Sequence, residues 1–356
     1  MSLPRIKLDD SDFNNLVFSA LKEKRGFILA NLSGLTPTVN NLCTAFDDFL
    51  KQPESFKKSF QGDVENGANG FFPKENYKTG SIISDRFFFK CEGTSHTLNH
   101  AMPKPIKSNI GLEQANAEIL AYTRPIIEKI SQAIETGLNL EKGKLTEYID
   151  INPTLTLSHF YPMTQEKMKT IFENSQLTIT KFNEIKTFIE HRDLSLFTLL
   201  IYRKNHVNGL SVKIPKEDGK AYEQVQLDGE DDLCIIVITG RVLKEITNKM
   251  LKGLMHNVNT TPLKEEEIFY RDAIALFVVP PPALELKPLI NKNGAQQKNY
   301  ETYNQFYMRY HTQYQEGIKN TALKELPSQI AEYPTENEII TLETEHGPAY
   351  KRISLK

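Results

Sequence analysis

The sequence predicts an α+β fold in which helices flank a jelly-roll core, that is, a distorted double-stranded β-helix. Two observations lead to this prediction. Apolar residues recur mainly at helical spacing in the first 150 residues, whereas from Thr154 onward the pattern changes to short strands separated by turn residues. Seven such strands follow one another, which is typical of an antiparallel β-barrel or jelly roll. The order of the elements therefore favours helices first and a β-core second.

The helical part contains three amphipathic segments, at residues 12–24, 36–50 and 113–138. Each places its apolar residues on one face at a spacing of three or four, which predicts a helix with one buried side. Thr38 is a candidate cap of the second helix, since threonine is favoured at helix N-termini. A strand is predicted between the first two helices, over residues 26–32.

Residues 61–110 are rich in Gly, Asn, Ser and Pro, a composition that predicts loops. This region also holds five phenylalanines, and the prediction leaves them as exposed aromatics on those loops. They are Phe71, Phe72, Phe87, Phe88 and Phe89.

The β-rich part is predicted to contain seven strands, followed by an aromatic helical segment around residues 300–310 and a polar tail. The predicted strands are 154–160, 196–202, 209–214, 222–226, 233–239, 253–258 and 273–279. A further strand is expected in the tail, over residues 339–342. The run Pro280-Pro281-Pro282 ends the seventh strand, because proline cannot donate to a ladder.

We predict one domain over residues 1–326, followed by a polar extension over 327–356. Within that domain, residues 1–150 form a mostly helical N-terminal region. Residues 151–285 form the jelly-roll core, and residues 286–326 form a C-terminal helical segment.

The composition is that of an ordinary globular protein and excludes several classes of function. The chain has 356 residues, of which 39% are hydrophobic and 25% charged, with a formal net charge of −2. This balance provides no basic footprint for nucleic acid or for an anionic membrane. No apolar run reaches the 18 residues of a membrane span, and the N-terminus lacks the apolar region of a signal peptide. We therefore expect a cytoplasmic protein that binds neither nucleic acid nor membrane.

The three cysteines, Cys43, Cys91 and Cys234, are far apart in the sequence and form no C-x-x-C pair. This spacing argues against a disulfide framework and against a zinc site built from thiolates. It also fits a reducing compartment.

The pair His191 and Asp193 is the first candidate for chemistry. The two residues are separated by one position at the start of an apolar, strand-like segment, where they would project from the same face. An imidazole beside a carboxylate supplies two of the three ligands of a 2-His-1-carboxylate iron(II) site. His256, in a predicted strand late in the same β-core, is the best-placed third ligand. A helix-periodic stretch precedes the pair, and we expect it to end before the strand begins.

Six short segments carry a resemblance to a known family. They are residues 191–193, 196–200, 240–256, 271–273, 159–162 and 26–34. In that order they match the H-T-D, L-T-L-L, G-D-x-L-Q-x-x-S-N-G-x-x-K-S-x-x-H, R-x-S, N-x-Y-P and G-F-F-x-L-x-N-H-G patterns of one family. The sequence resembles the iron(II)/2-oxoglutarate-dependent dioxygenases of the isopenicillin N synthase-like type, over roughly residues 3–320.

The resemblance implies a role for five residues. His191, Asp193 and His256 would ligate Fe(II), and the open metal positions would take 2-oxoglutarate and O2. Arg271 would bind the distal carboxylate of 2-oxoglutarate, with help from Tyr161. The implied reaction is oxidative decarboxylation of 2-oxoglutarate to succinate and CO2, coupled to hydroxylation or related C–H oxidation of a small-molecule substrate.

The sequence departs from the family pattern at two positions. Ala273 replaces the serine of R-x-S, which removes one hydroxyl donor to the keto acid, and a lost hydrogen bond to a charged group costs about 1.5–3 kcal/mol. His159 replaces the asparagine of N-x-Y, and we expect this histidine to be structural.

Other readings of these residues remain open. Without the resemblance, the His191–Asp193 pair would be a surface turn, and His256 a satisfied core histidine. Arg271 could form a structural salt bridge, and Tyr161 could be a buried strand tyrosine. At the level of function, the alternatives are an Fe(II) oxidase of the same fold that does not use 2-oxoglutarate, and a non-catalytic jelly-roll binding module.

Overall fold

The computed structural model describes the two sheets, their flanking helices and part of the C-terminal tail. The described residues are 2–62, 70–73, 84–89, 111–149, 153–163, 188–203, 210–216, 222–226, 233–258, 269–290, 300–310, 339–344 and 347–352. All statements about the structure concern these residues.

Helices lie mainly in the N-terminal part, as the sequence predicts. They are α1 (Phe13–Glu23), α2 (Thr36–Leu50), α3 (Glu54–Lys58), α4 (Leu112–Gly137) and α5 (Arg241–Ile246). Residues 303–310 are also helical, and two short 3-10 turns occur at Ser33–Leu35 and Thr146–Tyr148. No helix among the residues described above is both long and apolar enough to cross a membrane.

Fourteen strands occur in the described residues. They are β1 (Arg5–Lys7), β2 (Gly26–Ala30), β3 (Gly70–Phe72), β4 (Ser84–Phe89), β5 (Thr154–Met163), β6 (Phe188–His191), β7 (Phe197–Arg203), β8 (Leu210–Pro215), β9 (Tyr222–Gln226), β10 (Leu233–Thr239), β11 (Met255–Val258), β12 (Phe269–Val278), β13 (Ile339–Thr344) and β14 (Gly347–Arg352).

The strands form a large sheet, a small sheet and a hairpin. The large sheet has eight strands in the order β1-β2-β10-β7-β12-β5-β4-β3, and the small one has four in the order β6-β11-β8-β9. All pairings in these two sheets are antiparallel except that of β1 with β2. Helices combined with a predominantly antiparallel β-core confirm the predicted α+β class.

The large sheet is buried on both faces, and β10 shows this most clearly. Ile235 and Val237 belong to the core on the helix side of the sheet, which also contains apolar residues of α1, α2 and α4. Cys234, Ile236 and Ile238 alternate with them and belong to a second core, shared with β8 of the small sheet. Because side chains alternate along a strand, this second core fills the space between the two sheets.

The prediction of exposed aromatic loops over residues 61–110 is wrong where the structure describes this region. Phe71 and Phe72 lie in β3, Phe87 and Phe89 lie in β4, and all four are buried. Phe49 of α2 packs edge-on against the rings of Phe71 and Phe87, at centroid distances of 5.1 and 5.2 Å. The remainder of 61–110 that surrounds these strands lies largely outside the described residues. The Gly- and Asn-rich composition of that remainder masked two short strands.

The prediction of one continuous strand from His191 onward is also wrong. Strand β6 ends at His191, residues 192–196 form a turn, and β7 begins at Phe197. Phe188 and Ile189, which contribute to a helix-periodic pattern in the sequence, belong to β6; the earlier part of that stretch lies outside the described residues. Thr38 does not cap α2, because the helix already begins at Thr36 and Leu35 holds the capping position.

The strand expected near residues 339–342 is present as β13, which pairs with β14 in a hairpin. The division into a domain over 1–326 and an extension over 327–356 stays a prediction.

Candidate metal centre

The three predicted ligands lie at one edge of the small sheet. His191 is the last residue of β6, and Asp193 lies in the turn that follows. His256 belongs to β11, which pairs with β6 so that His256 stands directly opposite His191. Directly opposed residues in an antiparallel pair share a face. The two imidazoles are therefore neighbours across the ladder, with ring centroids 4.2 Å apart.

The donor atoms of these residues converge on one small volume. Asp193 Oδ1 lies 3.3 Å from His191 Nε2 and 3.7 Å from His256 Nε2. The three ligand atoms all lie within 4.8 Å of one another. Asp193 and His256 are buried, whereas the His191 side chain is 31% exposed. One side of the cluster is thus open to a ligand.

The Asp193 carboxylate is held in its ionised form. Burial alone would raise its pKa, but the neighbouring His256 and His191 and a hydrogen bond from Thr198 lower the pKa of Asp193 to about 2. The Thr198 hydroxyl donates to Asp193 Oδ2 at 2.6 Å and lies 3.0 Å from Ser195 Oγ. Oδ2 is therefore engaged, and Oδ1 is left facing the two imidazoles.

The turn that carries Asp193 is fixed by the start of α5. The backbone N–H groups of Arg241 and Val242 donate to the carbonyls of Asp193 and Ser195, at 2.7 and 3.0 Å. Gly240 makes this approach possible, since a Cβ at this position would lie 2.1 Å from the carbonyl oxygen of Ser195. On the opposite side, the hydroxyl of Tyr303 donates to the carbonyl of Leu194 at 3.1 Å.

The turn before β11 is held to the same loop. Arg192 Nε donates to the carbonyl of Gly253 at 3.1 Å. His256 Nδ1 lies 3.2 Å from the carbonyl of Leu254. A proton on Nδ1 would be donated to that carbonyl, leaving the lone pair of Nε2 directed at the cluster, which is the arrangement a metal-binding imidazole needs.

This donor set fits Fe(II). It combines two neutral imidazole nitrogens with one ionised carboxylate, and the ligands come from one side of the site, as a facial triad requires. Anchoring of ligating groups by hydrogen bonds from neighbouring residues is usual at metal sites.

The co-substrate residues Arg271 and Tyr161 lie on adjacent strands. Arg271 is in β12 and Tyr161 in β5, and the backbone of Arg271 pairs with that of Phe160. Their side chains lie outside the described residues, so their predicted role is not tested. His159 Nδ1 lies 2.8 Å from Asp272 Oδ1. This pair links β5 to β12 on the helix side of the sheet, which fits the structural role expected for His159.

The sequence analysis missed the residues that support the ligands. Thr198 stands in the L-T-L-L segment and Gly240 opens the 240–256 segment, so both lie within the motifs. Their functions depend on a turn that the sequence does not reveal, because Thr198 reaches Asp193 only when β6 and β7 are separated by that turn.

Comparison with known proteins identifies the fold and the family. The family model of the 2OG-Fe(II) oxygenase superfamily matches residues 145–280. A search of curated protein sequences finds no significant match. A full-length Neurospora crassa protein, solved in complex with alpha-KG and 5-formyluracil, is similar to 86% of this chain over 94% of its own, with a TM-score of 0.68 and 16% identity.

Two further solved structures share this fold. JOX2 in complex with 2OG, Fe and JA covers 87% of this chain and 85% of its own, with a TM-score of 0.63 and 16% identity. The rice dioxygenase for auxin oxidation covers 88% and 96%, with a TM-score of 0.61 and 12% identity. At these identities the structures show the fold, and the family model locates the shared domain, which contains all three candidate ligands. The chain therefore belongs to the 2OG-Fe(II) oxygenase superfamily through a domain that spans residues 145–280.

Proposed function

We propose that the protein is a non-haem Fe(II) dioxygenase that couples oxidative decarboxylation of 2-oxoglutarate, to succinate and CO2, to hydroxylation or related C–H oxidation of a small-molecule substrate. The convergence of His191, Asp193 and His256 within the family domain supports this proposal most directly. Iron, 2-oxoglutarate and O2 supply the oxidising chemistry when bound, and the chain supplies geometry and shielding from water.

We assign the metal ligands to His191, Asp193 and His256. The low pKa of Asp193 means that no proton has to leave this carboxylate before a cation binds at neutral pH. The hydrogen bond from Thr198 fixes Oδ2 and leaves Oδ1 as the ligand atom. The exposed side of His191 is the side from which ligands would approach.

We assign the distal carboxylate of 2-oxoglutarate to Arg271, with Tyr161 as a second contact. Adjacent strands bring the backbones of these residues together. A guanidinium can bind a carboxylate through two parallel hydrogen bonds, which suits the end of a narrow pocket. The sequence resemblance is the main support for these two roles.

A small molecule is the substrate class that we propose. The related structures were solved with ligands of this size, namely 5-formyluracil or thymine for the Neurospora crassa protein and JA for JOX2. We also propose a cytoplasmic location. Cys43 and Cys234 are buried as thiols, which fits a reducing compartment.

The test is an anaerobic titration of the apo-protein with Fe(II) and 2-oxoglutarate, followed by visible absorption. We expect a metal-to-ligand charge-transfer band that is lost in His191→Ala and in Asp193→Ala. Succinate should then form on exposure to O2, at least as slow uncoupled turnover. Iron binding without the band would favour an Fe(II) oxidase that does not use 2-oxoglutarate. Absence of metal binding would leave only a shared fold.

A further inference from the structure

A row of three residues crosses the large sheet near Arg271. Ala273 of β12 pairs directly with Ser158 of β5, and Ser158 pairs directly with Arg86 of β4. We call Arg86, Ser158 and Ala273 the inner row. Directly opposed residues share a face, so all three side chains stand on the same side of the sheet.

The inner row stands on the side of the sheet that faces the metal centre. Thr198, whose hydroxyl donates to Asp193, pairs with Phe277 of β12. Phe277 and Ala273 are four residues apart and therefore point to the same side. The residues between these positions point the other way, and Ile274 belongs to the helix-side core. The neighbouring residue of Arg86, Phe87, belongs to that core as well.

The inner row is suited to an anion. Arg86 is buried, with 5% of its surface exposed, and so is Ser158, with 7% exposed. Asp85 and Asp272 lie one position away along their strands and therefore point to the opposite face. The next row along the sheet includes Thr156, which is also buried and whose hydroxyl has no hydrogen-bond partner in the part of the chain that the structure describes.

The row also has room for a ligand. Its member on β12 is an alanine, and the position two residues further along the same face, Ala275, is another. Two methyl groups beside two hydroxyls and a guanidinium leave space over the sheet, with polar hydrogens directed into it. A carboxylate is the ligand group that such an arrangement binds best, because a guanidinium and a hydroxyl both donate to it.

We propose that Ser158 and Arg86 bind the distal carboxylate of 2-oxoglutarate together with Arg271. This proposal rests on the proposed function. Ser158 would supply, from the neighbouring strand, the hydroxyl that Ala273 lacks, since opposed Cα atoms in an antiparallel pair are only about 4.5–5.5 Å apart. Arg86 stands two strands from Ala273, roughly 10 Å in Cα distance at the usual strand spacing, and its long side chain spans most of that gap.

The test is calorimetric titration of 2-oxoglutarate into the anaerobic, Fe(II)-loaded full chain. Ser158→Ala and Arg86→Gln should each weaken 2-oxoglutarate binding by roughly tenfold or more, as expected for loss of a hydrogen bond to a charged group. Arg86→Lys should lose less than Arg86→Gln. The matched control is Arg124→Gln, which removes an exposed guanidinium on α4 and should bind like the wild type.

A double variant tests the exchange of hydroxyls between the strands. Ala273→Ser in the Ser158→Ala background should restore 2-oxoglutarate affinity to within about threefold of the wild type, because it returns a hydroxyl to the same row. A merely structural role of Ser158 would not be rescued from β12. Should Arg86→Gln fail to fold, the two serine variants still decide the question.

The outcomes separate this inference from the proposed function. If the wild type does not bind 2-oxoglutarate, the proposed function fails. If the wild type binds it and both Ser158→Ala and Arg86→Gln stay within twofold, the inner row does not bind the carboxylate and the inference is overturned, while the proposed function stands. Loss in both variants with rescue by Ala273→Ser supports it.

Discussion

The orientation of the Asp193 carboxylate depends on one hydroxyl, that of Thr198. Hydrogen bonds of this kind direct a ligand atom at the metal, and their loss usually lowers metal affinity by roughly 10–100-fold. The chain brings this hydroxyl close through the turn at residues 192–196, which places the first residues of β7 under the ligand.

We predict that Thr198→Val lowers Fe(II) affinity by roughly tenfold or more, because Asp193 Oδ2 loses its donor while the side-chain volume is kept. Thr198→Ser is the matched control and should stay close to the wild type, since it retains the hydroxyl. Anaerobic equilibrium titration with Fe(II) measures both. Equal affinities for the valine and serine variants would contradict a role of the hydroxyl.

A second residue-scale prediction concerns His159, which three carboxylates surround. Asp272 lies 2.8 Å and Asp47 3.9 Å from His159 Nδ1, and Asp85 is its register partner on β4. Burial would lower the pKa of His159, but the hydrogen bond and charge of Asp272, with the charges of Asp47 and Asp85, raise it on balance. The stabilisation is therefore fully present below the unfolded pKa of about 6.5 and is lost as pH rises through the raised folded pKa.

We accordingly expect His159→Gln to lower the free energy of unfolding by about 3 kcal/mol near pH 6, as for other broken buried ion pairs, and by less near pH 9. Urea unfolding at the two pH values measures this difference. The control is Lys51→Gln, which removes an exposed partner of Asp48 and should give a small, pH-independent change. A loss of stability that does not depend on pH would show that His159 acts by packing alone.

The ligands themselves could be predicted from the sequence because their spacing and the segments around them are local features. His191, Asp193 and His256 converge as the resemblance implies. Thr198 and Gly240 could not be assigned, because their contacts cross a turn between two elements. The inner row was equally hidden, since Arg86 lies in a region whose composition predicts loops.

At the scale of elements, the junction between the Asp193 turn and α5 is the tightest contact near the site. Gly240 has a φ of −97° and a ψ of −179°, which any residue adopts, so the glycine is needed for space and not for its backbone freedom. A Cβ there would meet the Ser195 carbonyl, which already accepts a hydrogen bond from Val242.

We predict that Gly240→Ala destabilises the protein by about 1–3 kcal/mol, the usual cost of overpacking, and weakens Fe(II) binding because the Asp193 turn must move. Gly34→Ala is the matched control, since its nearest neighbour would be the Tyr122 hydroxyl at an ordinary 3.5 Å. Thermal unfolding and Fe(II) titration report the two effects. An alanine at 240 that leaves both unchanged would contradict the steric argument.

Elements that depend on local pattern were predicted well. Residues 36–50 match α2, and 222–226 and 233–239 match β9 and β10. Strands β3, β4 and β6 were missed because they are short and are stabilised by partners distant in the sequence, such as β5 for β4 and β11 for β6. Hydrophobic period carries no information about such partners.

At the scale of the whole molecule, metal binding should be linked to stability. The ligands come from β6, from the turn that leads to β7 and from β11, so a bound ion would join the small sheet to the first strand residues of the large one. We predict that Fe(II) at 100 times its dissociation constant raises the free energy of unfolding by about 2.7 kcal/mol. In Asp193→Ala the same concentration should have little effect. Anaerobic thermal unfolding with and without Fe(II) measures this, and an equal shift in both proteins would indicate binding elsewhere.

The pairing of β2 with β10 has a consequence for the birth of the protein. Ile28 stands opposite Ile236, so the partner of β2 is synthesised about 200 residues later. At the usual rate of 5–20 residues per second, the strand leaves the ribosome roughly 10–40 s before its partner exists. All five residues of β2 are buried in the finished sheet, so during that interval the nascent chain exposes an apolar strand with an open edge, which is the form of polypeptide that aggregates most readily. Fragments that stop before β10 should therefore be insoluble, and the yield of the protein should depend on how quickly the second half of the chain follows the first.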